Sequence, residues 1–319
     1  MSEPSSSSAA QPGLRGGAAP QAAARLVDRA RGYAELLHNA AGRCFARVLV
    51  PGPVEWRREL CPVPSDRFHR WLAKVGGGPS PDVVKAALRM PEALALEGPE
   101  APVFLRVAEH DGSIWIDLGD AEWSAIQVWP GGWRVTASGE VPVCFERPRG
   151  ARALPPPQRS GLIGELRRFA NVASEADFRL VVAHSVRCLM LWRPHPILGV
   201  VAKPGSGKSS LFCGMRLLTD PRGWDEAVRS PPNSVRDLGV AANNNWCLCF
   251  DNLSRVPPWL RDALCMRVTG GAFAIRQNWS DDQEIVLNLR GPTMLGSITD
   301  VIRRGDLADR TIRVEMDPG

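Results

Sequence analysis

Residues 197–212 read ILGVV-AKPGSGKSS-LF: a short β-branched run, a glycine-rich turn and the start of a helical pattern. Gly205 and Gly207 allow the backbone to bend so that successive N–H groups, and the N-terminus of the following helix, face one anion. Lys208 adds positive charge suited to the β and γ phosphates of a nucleotide, and the Ser209 hydroxyl is suited to Mg²⁺. Ala202, Lys203, Pro204, Gly205, Ser206, Gly207, Lys208, Ser209 and Ser210 thus form the candidate binding segment, a Walker A loop, with ATP and Mg²⁺ as the expected cofactors. Ala202 stands where glycine is commoner, and of the two lysines Lys203 is the bystander.

A core of this type needs a second apolar strand ending in an acid, about 40 residues further on. Residues 246–251, WCLCFD, answer to that description, and Asp251 becomes the second expected Mg²⁺ ligand. The next position commonly holds a glutamate that polarises the attacking water; here it is Asn252. An amide orients a water but cannot take its proton, so the residues support binding better than rapid hydrolysis.

Past Asp251, Pro257 and Pro258 open a helix whose body is WLRDALCM. Two β-like runs, GAFAIRQNW and EIVLNL, then flank Ser280, Asp281, Asp282 and Gln283. They predict a hairpin over about residues 271–289, placed before the next core strand at 292–295 and directed toward the axis of a ring. Its acidic tip would repel phosphates, so a grip on nucleic acid would come from the flanks. Arg276 is the candidate phosphate contact and Trp279 the candidate stacking surface, unless Trp279 packs across the hairpin onto Ile285 or Leu287. The strand TMLGSITD offers Ser297 or Thr299 as a polar sensor. Arg310 either donates to the γ-phosphate of a neighbouring subunit or is a surface arginine among Arg303, Arg304 and Arg313.

The surrounding segments divide the chain. Residues 1–20, rich in Ser, Ala, Gly and Pro, predict a disordered tail. Residues 21–146 read as a helical and antiparallel β module: a helical face from Gln21 to Phe45, a short helix around 65–75, and alternating runs between Val103 and Phe145 with turns at Asp111-Gly112 and Gly131-Gly132. In that module Trp115, Trp129 and Trp133 serve either as packing or as a platform for bases. Residues 147–161 are dense in Pro, Gly and Arg and predict a linker. Residues 162–319 hold the ATPase domain, without a C-terminal helical lid. Within it, Ser174-Glu-Ala-Asp177 predicts a capped helix over 175–192, with His184 as a satisfied core histidine.

Composition bounds the rest. The 319 residues are 44% hydrophobic and 23% charged, with no apolar run long enough to span a bilayer, which points to a cytoplasmic protein without membrane contact. The net charge of +5 concentrates in 151–250 and is too small to diagnose a nucleic-acid binder by itself. Eight cysteines show neither C-x-x-C spacing nor histidines at zinc-ligand spacing, and read as buried, reduced thiols.

The series of the glycine-rich loop, the WCLCFD strand, Thr269-Gly270-Gly271 before a hairpin, the sensor strand and Asp309-Arg310 resembles the superfamily 3 helicase branch of the AAA+ ATPases. More closely, it is similar to ATP-binding proteins of actinobacterial phages and integrated elements related to primase-helicases, over about residues 100–317. The strings VAEHDGSIWIDLGDAEWSAIQV and FDNLSRVPPWLRDALCMRVTGGAFAIRQ carry most of that likeness. The resemblance implies an α/β P-loop NTPase core with a parallel central sheet and a hairpin before the sensor strand, preceded by a small α+β region. It implies ATP hydrolysis coupled to unwinding or remodelling of single-stranded or forked DNA by a homo-oligomeric ring, such as a hexamer, of a mobile element. Lys208, Asp251 and Arg310 take the catalytic positions, while Asn252 stands at the family's glutamate and Gly296 and Ser297 near its sensor asparagine. Those two departures keep a second reading open, a nucleotide-binding regulatory or assembly module with weak or no hydrolysis.

Overall fold

The computed structural model describes residues 18–52, 55–192, 194–276, 284–302 and 305–317. The chain separates into two compact units, one of residues 1–49 and 61–101, the other of residues 50–60 and 102–319.

In the first unit α1 (Ala18–Arg31) precedes a hairpin of β1 (Ala34–His38) and β2 (Cys44–Pro51). The helical face predicted over 21–45 therefore stops at Arg31. Gly32 interrupts it, and from Ala34 the chain pairs in register with Val48. Gly42 at φ 72° and the Asn39 side chain, which accepts hydrogen bonds from the backbone of Ala41 and Arg43, make the turn. β3 (Trp56–Pro62) follows, with residues 56–60 counted in the second unit. α2 (Asp66–Val75) forms over the predicted residues because Ser65 caps it, accepting from the Phe68 N–H. Its Phe68 and Leu72 are buried, and α3 (Pro81–Ala87) and α4 (Arg89–Glu97) follow. The 1–20 tail falls mostly outside the described residues, although α1 already includes Ala18.

The second unit opens with β4 (Val103–Phe104) and an antiparallel meander of β5 (Val107–His110), β6 (Ser113–Asp117), β7 (Ala125–Trp129) and β8 (Gly132–Thr136). Asp111 and Gly112, both at positive φ, make the first turn, as expected of that pair. The run VPVCF departs from expectation: its β9 (Cys144–Phe145) pairs parallel with β4 rather than joining the meander. Trp115 and Trp123 are buried, with Arg147 stacked 3.9 Å over the Trp123 ring. Trp129 is partly exposed, and Arg159 lies 5.0 Å over Trp133. Within 147–161, Leu154 is buried against Ile116 and Leu118.

The α/β part begins with α5 (Glu175–Cys188), capped by Ser174. It ends four residues short of the prediction, as Arg187 folds back to donate to the carbonyls of Trp192 and Pro194 before the prolines that forbid helix. β10 (Ile197–Val201), α6 (Lys208–Thr219), α7 (Trp224–Ala227), α8 (Val235–Asn244), β11 (Leu248–Leu253), α9 (Pro258–Thr269), β12 (Ala272–Arg276), β13 (Glu284–Asn288), β14 (Thr293–Ser297) and β15 (Thr311–Glu315) follow. Strands β11-β14-β10-β15 make one parallel sheet. Strands covered on both faces read as continuous apolar runs, and period-two alternation divides their side chains. Leu198, Val200, Cys249 and Met294 pack with Phe178, Phe212 and Met215 on one side. Ile197, Leu248, Phe250 and Leu295 pack with Leu238, Leu260 and Leu264 on the other. All eight cysteines are free thiols, seven of them buried.

Candidate functional site

The site lies where the parallel strands end. β10 delivers Ala202, whose N–H bonds the Ser297 carbonyl at the end of β14, and the chain turns through residues 203–207 into α6. Gly205 and Gly207 both take φ 85°, a left-handed conformation that side chains with a Cβ avoid. Asn171 ties the turn down by donating to the Ser206 carbonyl at 3.2 Å. The Ser206 hydroxyl is buried and has no hydrogen-bond partner. Lys208 opens the helix, buried at 8% exposure, while Lys203 is exposed.

Three of the predicted residues meet at one carboxylate. Lys208 Nζ lies 3.0 Å from Asp251 Oδ1, and Ser209 Oγ donates to Asp251 Oδ2 at 2.8 Å. Asp251 is itself buried at 5% exposure, and its Oδ1 also accepts the Asn252 N–H at 2.7 Å. A Cβ built on Gly296 would come within 2.3 Å of Asp251 Oδ1 and 2.8 Å of Phe212. The acid thus occupies the space that a side chain at 296 would need, which accounts for the glycine found there. Asn252 sits at φ 60° in a register shift between β11 and β14. Asparagine is one of the few side chains that adopts this backbone conformation without large strain, so Asn252 has a conformational reason as well as a chemical one.

A cleft of about 330 Å³ opens beside this cluster, lined by Ser209, Cys213, Asp225, Val228, Arg229, Ser230, Asp251 and Asn252. Asp225, Arg229 and Ser230 carry no sequence signal, since residues 221–230 show no periodicity. The Arg229 N–H bonds the Cys249 carbonyl and its carbonyl accepts the Asp251 N–H, both at 3.0 Å, so Arg229 runs as a one-residue extension of the sheet beside β11.

The other predicted residues are placed elsewhere. Ser297 is buried at the end of β14, and Thr299 is exposed beyond it. Arg310 precedes β15, whose first residue pairs with Ile197, the first residue of β10. It therefore lies at the opposite edge of the sheet from the loop, about 13 Å away along a five-residue strand, and donates to the Asp306 carbonyl at 2.8 Å. Within this chain the structure does not bring Arg310 to Lys208 and Asp251. The predicted hairpin is the antiparallel pair β12-β13, with Arg276 opposite Glu284, between α9 and β14. Trp279, Asp281 and Asp282 lie outside the described residues. His184 is buried as expected but not satisfied: neither ring nitrogen has a partner, and burial pulls its pKa down to about 4. Among the described residues no helix is long and apolar enough to cross a membrane, and no cluster of His, Cys, Asp or Glu is arranged to hold a metal by itself.

Residues 163–318 match the family model described as the actinomycete integrative conjugative element replication protein. No curated protein matches the sequence. Two apo structures of the NrS-1 C-terminal region are similar to the chain at 10% identity, with TM-scores of 0.44 and 0.47, and are matched over 94% and 93% of this chain. The chain spans 61% of the length of each.

Proposed function

We propose that the chain binds ATP with Mg²⁺ at residues 202–210 and is the nucleotide-driven part of a mobile-element replication protein, acting on single-stranded or forked DNA as a homo-oligomeric ring. The observation that carries this reading is the shared carboxylate, Asp251 engaging Lys208 at 3.0 Å and Ser209 at 2.8 Å at the mouth of a glycine turn. The residues suit the ligand. Lys208 has donors to spare for phosphate, the Ser206 hydroxyl within the turn is buried without a partner, and a Cβ on Gly205 would meet nothing within 4 Å, so an anion can approach the backbone. Ser209 and Asp251 would hold Mg²⁺, whose role is to neutralise charge on the phosphates. The family match over 163–318 supports the replication role, because that family is named for replication proteins of integrative conjugative elements. The antiparallel pair β12-β13 supplies the element that would meet DNA, through Arg276 and Trp279, and Arg310 at the far edge of the sheet would serve a neighbouring subunit.

A second reading, a regulatory or assembly module with little turnover, draws on Asn252, which has no carboxylate to take a proton from water. Calorimetry with Mg²⁺-ATP tests the binding: Lys208→Ala should weaken affinity about 10- to 150-fold, the loss expected for a charged hydrogen bond. Unchanged affinity in a folded variant overturns the proposal. Turnover measured with and without single-stranded DNA separates the motor from the regulatory module.

A further inference from the structure

The cleft beside Ser209 and Asp251 carries one arginine, and its setting differs from that of the buried arginines of the same unit. Arg229 is held by its backbone: the N–H donates to the Cys249 carbonyl and the carbonyl accepts from the Asp251 N–H, both at 3.0 Å. The residue is exposed and lines the cleft, and its guanidinium makes no hydrogen bond or ion pair with the described residues. The residue is therefore fixed in place one strand-width from the Asp251 backbone, while its charge stays free for a ligand.

We propose that Arg229 is a direct, same-chain ligand of the terminal phosphate of the bound nucleotide, and that it makes the site discriminate a nucleoside triphosphate from a diphosphate. The inference rests on the nucleotide reading of the 202–210 loop. The cleft starts at Ser209 and Asp251 and is lined by none of residues 202–208, so it extends from the Mg²⁺ side of the site rather than along the glycine turn. The end of a polyphosphate that meets this side is the terminal one. A guanidinium suits it, because its planar fork donates two parallel hydrogen bonds to phosphate oxygens. Asp225 and Asp251 line the same cleft and outnumber Arg229, so a bare anion is disfavoured and the phosphate is accepted together with its cation. Arg310 cannot take this place within the chain, since it lies at the opposite edge of the sheet.

Calorimetry with Mg²⁺-ATP and Mg²⁺-ADP on the full chain tests the assignment. Native protein should prefer ATP. Arg229→Ala should lower ATP affinity about 10- to 100-fold while leaving ADP within about twofold, and Arg229→Lys should recover part of the preference. Lys208→Ala should weaken both nucleotides. No preference for ATP in the native protein, an unchanged ATP-to-ADP ratio in Arg229→Ala, or an equal loss of both nucleotides in that variant each overturns the role of Arg229. If Lys208→Ala leaves both affinities unchanged, the nucleotide reading of the loop itself fails, whatever Arg229 does.

Discussion

Lys208 and Arg267 are both buried cations on the same parallel sheet, and they are held in opposite ways. Arg267, in α9, is 1% exposed and its donors are fully used: Nε bonds Thr293 Oγ1, Nη1 bonds the carbonyls of Leu289 and Arg290, and Nη2 those of Trp246 and Pro292. Burial draws its pKa down to about 10, yet it stays charged. Lys208 has a single ion-pair partner among the described residues, Asp251 at 3.0 Å. A cation whose donors are all matched is closing the structure, and one with donors left over is kept for something that arrives. Arg216 belongs with Arg267, bonded to the carbonyls of Asp220 and Cys247 and to the Asn245 side chain.

The contrast breaks most visibly at Arg267. Arg267→Met takes the arginine donor from the carbonyls of Leu289, Arg290 and Trp246 and from the Thr293 hydroxyl, while Pro292 keeps the Leu248 N–H, and should cost about 4 kcal/mol or more in chemical denaturation. Lys208→Ala removes one partner of the buried Asp251, which keeps Ser209 and the Asn252 N–H, and should cost less, about 1–3 kcal/mol, with a loss of ligand affinity besides. A large stability loss in the lysine variant would erase the distinction.

Buried histidines on the structural side extend it to pH. Burial lowers His184 to about 4, and burial followed by the charges of Arg187 and Arg267 lowers His195 to about 3. Depressed values mean that the unfolded chain binds the proton more readily. The contribution of each is therefore complete above pH 6.5 and is lost as pH falls toward the folded-state value. Between pH 7 and pH 5 each should remove about 2 kcal/mol, and His184→Gln should flatten that part of the profile. A denaturation midpoint that does not move over this range would contradict the burial.

The smallest effect is expected at Asn252. Its positive φ predicts that Asn252→Gly is nearly neutral for stability and that Asn252→Glu costs about 1 kcal/mol, so a glutamate introduced to restore water activation would arrive strained. Equal stability of the two variants would remove the conformational reason for asparagine.

Much of the site was readable because its signals are local. The glycine turn, the apolar strand ending in Asp251, the caps at Ser65 and Ser174 and the hairpin before β14 each depend on neighbours within a few residues. What escaped depends on distant pairing. Arg106, Arg216 and Arg267 read as surface charge in a sequence, yet carbonyls supplied by other parts of the fold bury them. Arg229 joins the sheet by two hydrogen bonds and has no strand-like flanks. The parallel pair β4-β9 spans about 40 intervening residues that no local pattern connects, and α8 is a weakly apolar, asparagine-rich helix with Ser234 as its chief sign. The Gly296 position shows the same limit, because only the packing against Asp251 explains an absent side chain.

Asp220, at the far end of α6 from Lys208, has a consequence for how the unit can move. Burial pushes its carboxyl pKa up, and Arg216, Arg106 and Arg222 outweigh this and hold it low; Arg106 comes from the meander side and also bonds the Asp117 carbonyl at 2.8 Å. Swinging the meander away from α6 would break the buried Arg106–Asp220 ion pair at 3.5 Å and leave Asp220 with Arg216 and the Cys247 N–H, at a cost of a few kcal/mol. The helix is thus pinned at its tail like a connecting rod, with the glycine turn at its head. A displacement of the meander would be carried along the continuous helix to the glycine turn that opens it.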